Sequence, residues 1–117
     1  DFDRVFAFHE GRALFRVGDF RGGKYGYLDA EGKVVVAPIY DGGMNFCEGR
    51  ANISLGIAKE AKWGYIDNEG KQVIPLQYSR PSEFNNNLAL VRIGDFKSGT
   101  EGYINKQGKF IWKSPNK

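Results

Sequence analysis

A period of 38 residues governs this chain and limits what it can fold into. The stretch Lys62-Trp63-Gly64-Tyr65-Ile66-Asp67-Asn68-Glu69-Gly70-Lys71 has a near twin 38 residues earlier, Lys24-Tyr25-Gly26-Tyr27-Leu28-Asp29-Ala30-Glu31-Gly32-Lys33. A degraded copy follows 38 residues later, Thr100-Glu101-Gly102-Tyr103-Ile104-Asn105-Lys106-Gln107-Gly108-Lys109. Seven positions are identical in all three copies without a gap: Phe8/Phe46/Phe84, Ala13/Ala51/Ala89, Gly18/Gly56/Gly94, Gly26/Gly64/Gly102, Tyr27/Tyr65/Tyr103, Gly32/Gly70/Gly108 and Lys33/Lys71/Lys109. Self-similarity at this spacing is the mark of a stacked repeat architecture. Three units, 2–39, 40–77 and 78–115, account for nearly all of a 117-residue chain, which is one domain's worth of sequence.

Within each copy the apolar spacing is that of strands. Ala13, Phe15 and Val17 alternate onto one face, as do Ala51/Ile53/Leu55 and Ala89/Val91/Ile93. The opposite face carries Leu14/Arg16, Asn52/Ser54 and Leu90/Arg92, and is expected to be the wetter one. A second strand centres on Tyr25-Gly26-Tyr27-Leu28. Its invariant glycine calls for a close backbone or ring over the missing side chain, and the three tyrosines are expected to form a ladder. The turn Asp29-Ala30-Glu31-Gly32 and its copies put Asp or Asn first and glycine fourth, which favours a type I turn with a bulge between antiparallel strands. A third strand, Val34-Val35-Val36-Ala37 and its copies, is expected to end at Pro38 and Pro75. Segment 40–46 and its copy carry the chain to the next unit, with Phe46 and Phe84 as plugs between units. No stretch shows helical spacing. The fold expected is all-β: three three-stranded antiparallel meanders stacked as an open twisted array, with a closed pseudo-threefold body as the alternative. The worn third copy favours the open form.

The pattern resembles the WG-repeat family, also called KWG repeats. The resemblance rests on Phe46-Cys47-Glu48-Gly49-Arg50-Ala51, Lys62-Trp63-Gly64-Tyr65-Ile66-Asp67 and Gly70-Lys71-Gln72-Val73-Ile74-Pro75-Leu76-Gln77-Tyr78. The first copy puts Tyr25 in the tryptophan slot. The third departs, with Glu101 there, Asn105 for the aspartate and Asn86-Asn87 for Glu-Gly. The resemblance implies a bacterial β-rich repeat module, regarded as a scaffold or binding unit, with no catalytic motif to carry over.

The remaining chemistry is sparse. Net charge is +3, distributed as +1, −1 and +3 over the three units, and interspersed enough to read as a solvated surface. The single Cys47 cannot form an internal disulfide, and its slot holds His9 and Asn85 in the other copies. A Cys47–His9 pair would span one repeat, too far for a bond of about 3 Å. Glu10/Glu48, Asp29/Asp67 and Glu31/Glu69 recur, but in like environments, whereas acid–base catalysis needs unlike ones. Zinc lacks ligands, calcium lacks oxygens at the required spacing, and no cofactor is implied. A nucleic-acid groove would be interrupted at Ser54, Ile57 and Ala58, so nucleic acid is not expected. No apolar run approaches a membrane span. The chain starts at Asp1, without an initiator methionine, which reads as a processed or excised fragment, and the compartment expected is extracytoplasmic and bacterial.

Binding candidates are the aromatic-basic tips, Phe20 with Arg21 and Phe96 with Lys97, and the slot beside the invariant glycine, Tyr25 and Trp63, as an aromatic platform. The platform competes with a core role for the same two rings. The function expected is a non-catalytic binding or scaffold module for a protein or carbohydrate. The alternatives are an assembly protein that self-associates through exposed strand edges, and a hydrolase-like enzyme using the repeated carboxylates.

Overall fold

A computed structural model of the chain describes residues 2–19, 21–56, 60–80, 82–94 and 99–114. All regular structure in them is β. The first sheet runs in chain order, β1 (Arg4–His9), β2 (Arg12–Val17), β3 (Lys24–Leu28) and β4 (Val34–Tyr40). The second repeats it with β5 (Gly42–Gly43), β6 (Ala51–Leu55), β7 (Lys62–Ile66) and β8 (Gln72–Tyr78). The third holds β9 (Ala89–Ile93), β10 (Thr100–Ile104) and β11 (Phe110–Lys113). Every pairing is antiparallel, and the sheets do not close into a barrel. The molecule is an elongated open stack, 48 × 29 × 19 Å.

The three expected strands per copy are present, and a fourth joins them. The linking segment does not simply cross between units. It pairs back onto the first meander strand, fully as β1, in two residues as β5, and as single bridges Arg80↔Arg92 and Asn85↔Leu88 in the third unit. A two-residue turn with φ > 0 at both positions closes each pairing: Glu10-Gly11, Glu48-Gly49 and Asn86-Asn87. That backbone suits the right-handed twist of a hairpin.

The Asp-x-x-Gly turns are built as their chemistry dictates. Asp29 Oδ1 accepts from the N–H of Glu31 and of Lys33, both at 2.9 Å. Asp67 and Asn105 repeat both bonds, and Gly32, Gly70 and Gly108 all adopt φ between 83° and 86°. The Lys33 N–H, and with it that of Glu31, holds the Asp29 carboxyl below its ordinary range.

β4 and β8 run on through Pro38 and Pro75, contrary to the expected stop. Between Tyr27↔Val36 and Tyr25↔Tyr40 the third strand takes four steps against two. The surplus forms a bulge, where proline's missing N–H interrupts no ladder bond. Close approach of the third strand's backbone explains the invariant glycine in all three units. A Cβ on Gly26 would lie 2.2 Å from the Val36 carbonyl oxygen, on Gly64 2.5 Å from that of Ile74, and on Gly102 2.3 Å from that of Trp112. Residues 36, 74 and 112 are one repeat position, so the three glycines share one environment.

Burial corrects the expected wet face. Ala13/Phe15, Ala51/Ile53 and Ala89/Val91 are buried as read, but Val17, Leu55 and Ile93 at the strand ends are exposed. On the other face Leu14, Asn52 and Ser54 are buried as well. Each sheet of the stack is covered on both sides wherever a neighbour exists. The first core cluster joins Leu14, Tyr27 and Val36 of the first unit to Phe46, Ala51, Ile53 and Ile66 of the second. The second joins Tyr65 and Ile74 of the second unit to Tyr78, Phe84, Ala89, Val91 and Ile104 of the third.

Candidate functional site

The most specific chemistry in the molecule lies in the two joints between units, and one joint is the image of the other. Tyr27 donates its hydroxyl to the Met44 carbonyl at 2.6 Å, and Tyr65 donates to the Ser82 carbonyl at 2.7 Å. Burial pushes both phenols above their ordinary range, against the opposing effect of those bonds. Phe46 sets its edge on Tyr27 at 5.0 Å and Phe84 sets its edge on Tyr65 at 4.9 Å, so the rungs are tyrosine–phenylalanine pairs, not a tyrosine ladder. Phe46 and Phe84 are the plugs that the repeat pattern indicates.

The recurring glutamates are clamps. The Glu10 carboxylate accepts the backbone N–H groups of Glu48 and Gly49 at 2.6 and 2.8 Å. Glu48 accepts those of Asn86 and Asn87, both at 2.8 Å. Each clamp therefore satisfies the two outward N–H groups of the next unit's hairpin turn, which a type I′ turn otherwise leaves to solvent. Arg12 Nε reaches the Asn68 carbonyl at 2.8 Å and Arg50 Nε the Lys106 carbonyl at 3.1 Å. Sequence reasoning noticed these acids as recurring pairs but did not see the joint. The usable signal was that Glu and Arg stand in every copy with a successor, while the last copy has Asn86 and Leu88.

Of the binding candidates, Phe20, Phe96 and Lys97 lie outside the described residues. Arg21 is exposed, and its N–H and that of Gly22 are held by Asp19 Oδ1 at 2.9 and 3.0 Å. Tyr25 is half-buried against the first core cluster, 6.5 Å from the Phe6 ring. Trp63 is half-buried against the second, with its ring edge over Gly42. Glu101, in the same slot, pairs across the strands with Arg92 at 3.3 Å. The two rings are thus held in separate units, each with a partly open side.

Cys47 is half-buried, and its thiol donates toward the Phe84 carbonyl at 3.1 Å. Burial raises its pKa, the opposite of what a nucleophilic thiolate needs. His9 is exposed. Among the described residues no three His, Cys, Asp or Glu side chains gather to hold a metal ion. No helix among them is long and apolar enough to cross a membrane, which leaves strand-built spans unaddressed.

The outer face of the third unit is open among the described residues. Tyr103 is 42% exposed where Tyr65 is 0%, and Trp112 is 52% exposed where Ile74 is 0%. An open groove of about 890 Å³ lies beside Tyr103, lined by Phe84, Leu88, Leu90, Asn85 and Asn86 among others.

Neither the curated proteins nor the solved structures give a significant match to this chain. A family model does, twice: the WG containing repeat matches residues 25–56 and 63–95. These matches span the Gly-Tyr strand, the Asp-x-x-Gly turn, the bulged third strand and the following plug, which are the parts the joints reuse. Together they cover more than half of the chain, which therefore belongs to the family built from the WG containing repeat.

Proposed function

We propose that the chain is a non-catalytic scaffold module that recognises a protein or carbohydrate through the connections between the first two meander strands of each unit. The observation that carries this reading is a division between bases tied down in all three units and tips that differ between the middle unit and the outer two. The start of each connection is tied down from one repeat position. Gly18 N–H donates to Asp3 Oδ2 at 2.6 Å, Gly56 N–H donates to Asp41 Oδ2 at 2.8 Å, and Ser79 Oγ donates to the Gly94 carbonyl at 2.6 Å. Lys24 adds an ion pair to Asp41, whose carboxyl is held below its ordinary range by that pairing and by the Gly56 N–H. From these bases the outer two units carry the same kind of aromatic-basic tip, Asp19-Phe20-Arg21-Gly22-Gly23 and Asp95-Phe96-Lys97-Ser98-Gly99, while the middle unit has a different run at 57–61. Variable loops on a rigid frame are the usual arrangement of a recognition surface.

The non-catalytic part of the reading is supported by how the recurring acids are engaged. Glu10 and Glu48 hold backbone of the next unit, and Asp29 and Asp67 hold their own turns. The test compares wild type with a Phe20→Ala/Phe96→Ala variant, in capture from the native source and on a glycan array. The expected result is one ligand bound by wild type and weakened at least about tenfold in the variant, the scale of two lost aromatic anchors. A ligand held equally by both overturns the tip assignment, and turnover of a bound glycan overturns the non-catalytic one.

A further inference from the structure

We propose that the open tail of the third unit is a socket for the head of a second copy of this chain, with Phe8 as the plug. This goes beyond the reading above and uses none of the tip residues. Both internal joints are made by a phenylalanine from one unit entering beside a tyrosine of the unit before it. Phe8 is the remaining copy of that phenylalanine, and it is 50% exposed. Tyr103 is the remaining copy of that tyrosine, and its ring faces solvent beside the open groove. The groove is lined by Leu88, Leu90 and Tyr103, the last of which is the repeat equivalent of Tyr65, the ring that meets Phe84. Asn85 stands where Cys47 meets the Phe84 carbonyl.

The rest of the head is open in the same register. The N–H groups of Glu10 and Gly11, copies of the clamped pairs, have no acceptor among the described residues. A Cβ on Gly32 would meet nothing within 4 Å, whereas Gly70 and Gly108 rest on Val36 and Ile74 of the unit before. In a docked pair Gly32 rides over Trp112, which occupies the Val36/Ile74 position. Head and tail are different surfaces of one molecule, so the contact is heterologous. A stack that does not close on itself then grows as an open chain of copies. Asn86 and Leu88 replace the clamping glutamate and arginine, so the joint relies on its apolar plug and is looser and less salt-sensitive than a copy of the internal ones.

The experiment is sedimentation velocity of the 117-residue chain over a wide concentration range. Wild type is expected to gain average mass with concentration and not to stop at a dimer. Phe8→Glu and Tyr103→Glu are each expected to remain monomeric, with Leu90→Glu as a second socket variant and unchanged melting temperatures as the folding control. The decisive arm mixes Phe8→Glu with Tyr103→Glu. The first keeps an intact socket and the second an intact plug, so the mixture forms a one-to-one dimer and nothing larger. Three results overturn the proposal: a wild type that is monomeric up to about 1 mM, association that survives in both variants as pairing through strand edges would, or a mixture that stays monomeric.

Discussion

Tyr65 and Tyr103 occupy one position of one repeat and have opposite surroundings. Tyr65 is sealed, bonded through its hydroxyl to Ser82 and edged by Phe84. Tyr103 stands in the open with Trp112 at 6.4 Å. Their strands, register and neighbouring glycine are the same. What separates them is the presence of a following unit. A repeat of this size therefore supplies half a core, and its partner supplies the other half, the nearest-neighbour logic of stacked repeats.

The largest way to break the comparison is to remove a plug that is in place. Phe84→Ala, at a site 1% exposed, is expected to cost about 4 kcal/mol. Phe8→Ala at the exposed equivalent is expected to stay within about 0.5 kcal/mol. Urea unfolding of the two variants at low concentration checks the contrast. Next is the glycine beneath the bulge. Gly64→Ala drives a methyl against the Ile74, Pro75 and Leu76 backbone and is expected to cost about 3 kcal/mol. Gly102→Ala meets the Trp112 carbonyl just as closely, but β11 is exposed at Ile111 and Trp112 and can lift away, so less than half that cost is expected in the same assay.

Smaller is the clamp. Glu48→Gln keeps one acceptor oxygen but loses the charge and the second oxygen, so one of the Asn86 and Asn87 N–H groups loses its partner. It is expected to cost about 1 kcal/mol. At the tail the reverse change, Asn86→Glu with Leu88→Arg, is expected to leave monomer stability unchanged and to tighten head-to-tail association. The smallest effect is on pH. Tyr27 and Tyr65 have raised folded-state pKa values, so the unfolded chain ionises first. Their contribution is intact below the ordinary tyrosine value of about 10 and is lost as pH rises toward the folded value. Tyr65→Phe is expected to flatten the alkaline fall in melting temperature.

The period, the turn chemistry and the plugs were legible in the sequence because each is local or is copied outright. Asp29, Asp67 and Asn105 announce their turns, and no distant residue is needed to satisfy them. The contacts that cross between units were not legible as contacts. Glu48 reads as an exposed acid until Asn86 is known to lie beside it, and Leu14 reads as half-wet until Phe46 covers the same face. The proline reading failed for a related reason: Pro38 and Pro75 stop a paired strand, but a bulge leaves nothing there to pair. The tip candidates stay at the level of sequence, because Phe20, Phe96 and Lys97 lie outside the described residues.

The most direct test of the stacking account is residue-resolved amide hydrogen exchange in dilute protein. The N–H groups of Glu48, Gly49, Asn86 and Asn87, held by the glutamate of the unit before, are expected to be protected. Those of Glu10 and Gly11, in the same turn without an acceptor among the described residues, are expected to exchange at nearly the free-chain rate. Equal exchange at all three turns would contradict the account, because it would mean that the clamps between units do not hold in solution.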